Sequence, residues 1–254
     1  MKVIITGESH TAALFMGQKQ LEKEGHKSAV DIAVRPLGGG HLLREPFFAD
    51  KGDYAEIVMP QFRTRFERLP LGGADHQDTI YGLCAPLHTA RVWRDLDWGR
   101  FAPIGHVKNE TPISKAMLRD IILEDQRHIL AFLDIFVRAG VSVFAIEAPR
   151  PFRHHQALKR IREDVVLAVD AAYREIIRAE LSARSVPVVS APTICLDARG
   201  FTLEQYGRAA DPHHGNMKFG RLMMLEIEKF AAQFAKTAPH SPAPDGSSPS
   251  RLAR

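Results

Sequence analysis

Short β-branched runs alternate with long helical stripes along most of this chain, and no other feature constrains its folding as tightly. Lys2–Thr6, Ala29–Val34, Asp78–Cys84, Val141–Ile146 and Val186–Ser190 each read as a buried strand. Between them lie segments with apolar residues three and four apart. The first starts near Ser9 and runs through Ala12, Ala13, Leu14 and Met16 to Leu21, with Gly25 placed to stop it. A second spans about Ser114 to Ala139 and ends at Gly140. A third carries Leu158, Ile161, Val165, Val169, Ala172 and Ile176, and the last runs from about Asn216 to Phe234. Strands alternating with helices predict an α/β fold: a three-layer α/β/α sandwich around a five-stranded parallel sheet, flavodoxin-like in architecture. Residues 41–76 show no clear period apart from one extra strand over Tyr54–Met59.

Composition trims the function classes. The chain has 254 residues, 45% hydrophobic and 25% charged, which suits one globular domain over residues 1–235. Residues 236–254 concentrate Pro239, Pro242, Pro244 and Pro249 and have little to bury, so they are expected to form a disordered tail. No apolar run reaches the ~18–20 residues of a membrane helix, and no membrane partner is expected. The opening MKVIITGESHTAAL has one cation and an apolar run broken at Gly7, so it reads as a strand rather than a secretory signal. Two cysteines, Cys84 and Cys195, are too few for a disulfide framework; they read as buried small residues, and a reducing cytoplasm is the expected compartment. The net charge of +4 includes a tail with three cations against Asp245. The body has no basic block with aromatic interleaving, so no nucleic-acid partner is expected.

Ligands of an open parallel sheet bind beyond the carboxyl ends of its strands. Gly38-Gly39-Gly40 stands at one such end, but neither a Gly-Lys-Ser/Thr nor a dinucleotide fingerprint follows it. Ser9 stands where the first strand turns into a helix. A hydroxyl there can attack a carbonyl while its own N–H steadies the oxyanion, or it can simply cap the helix. Asp211-Pro212-His213-His214-Gly215-Asn216 precedes the last helix, and a serine nucleophile needs an imidazole base and a carboxylate to orient it. Asp211 and His214 can supply both from one loop after the fifth strand, or the segment is a solvated loop. His213-His214 with His154-His155 would also permit a metal site, but no pair has the spacing of a known zinc motif. Serine chemistry needs no metal or cofactor, and none is expected.

Gly7-Glu8-Ser9-His10 on the first strand and Asp211-x-x-His214 near the end together resemble the SGNH (GDSL-type) hydrolase superfamily. The likeness is to a bacterial subgroup with a G-x-S-H-x-x-A-L start, here Gly7–Leu14, and a D-x-x-H-x-N ending, here Asp211–Asn216. The resemblance implies a serine esterase or deacylase acting on an ester of a small molecule or glycan. Ser9 would be the nucleophile, His214 the general base and Asp211 its orienting carboxylate. The oxyanion hole would use the Ser9 N–H and Gly39 or Gly40. Two positions depart from the family pattern. Glu8 replaces the usual aspartate, and Leu83–His88 contains no Gly-x-Asn, leaving Asn109, His88 or a backbone N–H as substitutes. His10, His88, Arg91 and Arg150, with Glu147, His154 and His155, are candidates for a rim that binds an anionic or sugar-like substrate, or are ordinary loop residues. An O-acyltransferase using the same three residues, and a non-catalytic binding protein on this fold, are the competing readings.

Overall fold

A computed structural model describes residues 2–72, 79–95, 97–209 and 211–237. The expected tail beyond residue 237 therefore lies outside the described residues, as does Asp78. In chain order the elements are β1 (Lys2–Gly7), α1 (Thr11–Lys23), β2 (Asp31–Val34), β3 (Phe48–Asp50), β4 (Ala55–Ile57), α2 (Pro60–Arg63), β5 (Arg68–Leu69), β6 (Thr79–Leu87) and α3 (Ala90–Asp95). They continue with β7 (Phe101–Pro103), β8 (Thr111–Ile113), α4 (Lys115–Arg138), β9 (Val143–Glu147), α5 (Glu163–Ala183), β10 (Val188–Val189), β11 (Gly207–Arg208), β12 (Asp211–Gly215) and α6 (Met217–Thr237). The main sheet is five-stranded and parallel, in the order β10-β9-β6-β1-β2.

Period-two burial sorts the strand residues between two helical layers. Val3, Ile5, Ile80, Phe144 and Ile146 pack with Leu14 and Leu21 of α1 and with Met223 and Ile227 of α6. Ile4, Tyr81, Leu83 and Ala145 face the other way, onto Ile129 and Phe136 of α4 and Val169 and Ile177 of α5. The expected three layers and five parallel strands are therefore present. β6 is the middle strand, with β1 beside it.

Other boundaries also moved. β6 runs three residues past Cys84, because Pro86, which lacks an N–H, sits where the pairing with β9 shifts register between Leu83 and Leu87. The extra strand expected over Tyr54–Met59 is β4, the middle of a small antiparallel sheet in the order β3-β4-β5. The Asp211–Gly215 segment is not a free loop; it pairs antiparallel with Gly207–Arg208. Two close approaches set the site's frame. Gly7 ends β1 at φ +136°, and a Cβ there would fall 2.3 Å from Cys84 O. Helices α1 and α6 meet backbone to backbone, since a Cβ on Gly220 would fall 1.7 Å from Ala13 O. The helix following Ser9 is thus locked to the helix following His214.

Candidate active site

Ser9 lies in the turn between β1 and α1. The helix begins one residue later than expected: His10 is at the N-cap with no capping bond from its own side chain, Ser9 O accepts from Ala12 N at 3.1 Å, and the His10 N–H donates to Glu8 Oε1 at 3.4 Å. The Ser9 hydroxyl is therefore not spent on capping. It lies 2.7 Å from His214 Nε2 and 2.9 Å from Glu8 Oε2. His214 Nδ1 in turn lies 2.5 Å from Asp211 Oδ2.

Asn216 explains how His214 is held. Its Nδ2 donates to Gln205 O and Gly207 O, and its Oδ1 accepts from the N–H groups of Lys218 and Phe219 at the start of α6. One side chain thereby joins the β11 strand to the helix end and fixes the short segment between them. Burial alone would raise the Asp211 carboxyl. The neighbouring His214 and His213 and the His213 N–H outweigh it and hold the group below the usual carboxylate range. Asp211 is thus an anion facing the His214 ring. That placement favours the tautomer with the proton on Nδ1, leaving the Nε2 lone pair aimed at Ser9 Oγ.

The structure puts other expected residues in different places. Arg91 is fully buried: its Nε and Nη2 donate to Asp125 and its Nη1 to Gly40 O at 3.1 Å. Arg91 holds the glycine loop from behind and is not at a substrate rim, because α3 turns it inward toward α4. His10 and His88 do reach the site, but as buried rings and not as surface contacts. Burial holds both well below the usual imidazole range, so both are neutral. Gly40 borders Glu8 and His88, whereas Gly39 precedes a short turn of helix and faces the ring of His41. Asn109 is exposed and its N–H goes to Glu110.

Glu147 is buried and ties Arg174, Arg178 and the Ala191 N–H, which makes it a strut beneath the sheet's edge. His155 is also buried, its Nδ1 accepting from Ala157 N. Arg150 and His154 stay partly exposed, with Arg150 3.5 Å from Asp170. Cys84 and Cys195 are free and buried. Glu8 was noticed in the sequence only as a departure from a family pattern. An acid closing an otherwise apolar strand, beside a serine and a histidine, was the signal that marked it.

No protein-family model and no curated protein matches the sequence. Solved structures do. An acetyl xylan esterase superposes with a TM-score of 0.50 at 12% identity, covering 91% of this chain and 99% of that one. The two share a fold. A GDSL-like lipase from Bacteroides thetaiotaomicron (TM-score 0.47, 12% identity, 91% and 88% covered) is also similar. So is the periplasmic domain of a lipopolysaccharide acetyltransferase from Salmonella ser. Paratyphi A (0.48, 12%, 91% and 83%). At such identities the likeness is one of architecture alone. Among the described residues, no helix is long and apolar enough to cross a membrane.

Proposed function

We propose that this chain is a serine acyl hydrolase, an esterase or deacylase, acting on an ester of a small molecule or glycan. One observation carries the reading: the unbroken contact from Asp211 through His214 to Ser9, at 2.5 and 2.7 Å. In this reading His214 Nε2 takes the Ser9 proton as Oγ attacks the ester carbonyl, and Asp211 steadies the resulting imidazolium. The oxyanion falls to the Ser9 N–H and the Gly40 loop, which Arg91 braces. His214 then returns the proton to the leaving alcohol, and water enters by the same route to release the acid. Two buried free thiols suit a reducing compartment.

The test uses a fluorophosphonate probe and a short-chain aryl ester on wild type, Ser9→Ala, His214→Ala and His213→Ala. Wild type is expected to label and turn over. Ser9→Ala should lose labelling entirely, and turnover should fall by about 10⁴-fold or more. His214→Ala should lose far more than His213→Ala, because it is His214 Nε2 that lies 2.7 Å from Ser9 Oγ, while His213 Nδ1 lies 3.2 Å from Asp211. Labelling that survives Ser9→Ala rejects the nucleophile. A wild type that never labels favours the binding-protein reading, and turnover that requires a sugar hydroxyl acceptor favours the acyltransferase.

A further inference from the structure

Next to Ser9, three side chains converge out of solvent, with the His10 ring 4.7 Å from that of His214. Glu8, His10 and His88 are all buried, and one ligand atom from each lies within 4.8 Å of the others. Glu8 Oε2 is 3.1 Å from His88 Nδ1, and Glu8 Oε1 is 3.9 Å from His10 Nε2. None of the four ring nitrogens of His10 and His88 makes a hydrogen bond among the described residues. The short Glu8–His88 contact therefore lacks hydrogen-bond geometry although its atoms are close enough for one. Four buried imidazole nitrogens without partners are costly, since each unsatisfied buried polar group costs roughly 1–3 kcal/mol.

Gly40 keeps the space between these groups clear. A Cβ at that position would fall 2.8 Å from Glu8 Oε2 and 3.2 Å from His88 Nδ1. The gap before Gly40, bordered by the Glu8 carboxylate, the His88 ring and Arg91 Nη1 at 3.5 Å, is one that even an alanine would crowd. We propose that Glu8, His10 and His88 bind a divalent transition-metal cation of the zinc type. Two nitrogens and one oxygen suit zinc or cobalt better than magnesium or calcium, which take oxygen shells. Metal–ligand bonds of about 2.0–2.2 Å put neighbouring ligands of a tetrahedral ion roughly 3.3–3.5 Å apart. Glu8 Oε2 at 3.1 Å from His88 Nδ1 lies close to that spacing, and His10 Nε2 stands 3.9 Å from the other oxygen, Oε1, so the two rings reach the carboxylate from its two oxygens.

The site goes beyond the metal-free reading of the hydrolase and does not depend on it. Its consequence for Ser9 follows from proton counting. The hydroxyl has one proton and two acceptors within reach, Glu8 Oε2 and His214 Nε2. A cation that engages the Glu8 carboxylate leaves that proton to His214, the orientation general-base catalysis needs.

The experiment measures binding without activity. Purified full-length protein is treated with chelator, dialysed against Co²⁺ or Zn²⁺, and assayed for retained metal and, with cobalt, for visible ligand-field absorption. Wild type should retain one equivalent, and Zn²⁺ should raise its melting temperature. Glu8→Gln, nearly isosteric, and His88→Gln should both lose the ion and the thermal shift. His213→Gln should keep it, which separates this site from the second group formed by Asp211, His213 and His214. Ser9→Ala should also keep the metal, so a failed nucleophile assignment and a failed metal site give different results. No retention by wild type overturns the proposal. Retention that follows His213, or that persists in folded Glu8→Gln, overturns it as well.

Discussion

Two buried polar clusters lie near the carboxyl edge of the sheet, and they are built on opposite terms. Beneath α3, α4 and α5, every carboxylate meets a guanidinium: Asp125 with Arg91 at 3.1 Å, Asp170 with Arg174 at 3.0 Å, Glu147 with Arg178 at 2.6 Å. Tyr173 and Thr89 add hydroxyl donors to Asp125 and Asp170. Around Glu8, by contrast, two buried imidazoles stand within reach of one carboxylate and no ring nitrogen is hydrogen-bonded. The first cluster has what a buried charge needs to serve as a fixed joint. The second is left incomplete, with Glu8 Oε2 2.9 Å from the Ser9 hydroxyl. Partner satisfaction thus separates the groups that hold the fold from those proposed to bind a cation.

The hardest way to break that contrast is to remove one partner from the satisfied cluster. Asp125→Ala would leave Arg91 buried without its counter-ion, and should cost about 3–5 kcal/mol in denaturant unfolding. Arg91 also braces Gly40 O, so this variant should lose aryl-ester turnover along with stability. Replacing both partners together, Arg91→Met with Asp125→Leu, should recover most of the stability and little of the turnover. Equal stability losses in the single and double variants would show that the pair is not the joint described. A Gly220→Ala change tests the frame from the other side. Its Cβ would meet Ala13 O, and α6 must move away from α1 by more than a rotamer change allows. The expected cost is about 3 kcal/mol, with turnover reduced beyond what the unfolded fraction explains, because His214 rides on the segment leading into α6.

How much of this was legible beforehand follows the same division. The sheet and its helices were readable because burial on one face repeats every two or every three to four residues, as Val3, Ile5 and Ile4 show by facing opposite layers. Ser9, Asp211 and His214 were readable because short motifs mark the ends of elements. Arg91 was misplaced because its partner Asp125 lies 34 residues away, and nothing local to Arg91 announces that α3 turns it inward. The β11–β12 pairing was invisible for a related reason: Asp-Pro-His-His has no strand pattern, and only the return of Gly207–Arg208 gives its backbone a partner. The third strand, read as Asp78–Cys84, runs on to Leu87 because the register shift against β9 accommodates Pro86. Long-range pairing decides each of these, and a linear reading weighs local pattern first.

The smallest expected effect lies at His155, which belongs to neither cluster and shows what a single hydrogen bond to one imidazole nitrogen contributes. Its Nδ1 accepts the Ala157 N–H at 3.0 Å, and its ring packs edge-on against Trp93. Protonation would place a proton on the accepting nitrogen and break that cap. Burial, and then the charges or partial charges of His213, Arg94, His154 and Arg160, push the group down to about 4. An unfolded histidine titrates near ~6.5, so between those values the unfolded chain binds the proton that the folded chain refuses. The stabilisation is complete above pH ~6.5 and is lost as the pH falls toward 4, by on the order of 1–3 kcal/mol. His155→Asn keeps a side-chain acceptor for the Ala157 N–H but removes the titration, so the stability–pH curve of this variant should be flatter by that amount over the window. A curve as steep as wild type would place the acid sensitivity in other histidines, with His213, also pushed down to about 4, the next to replace.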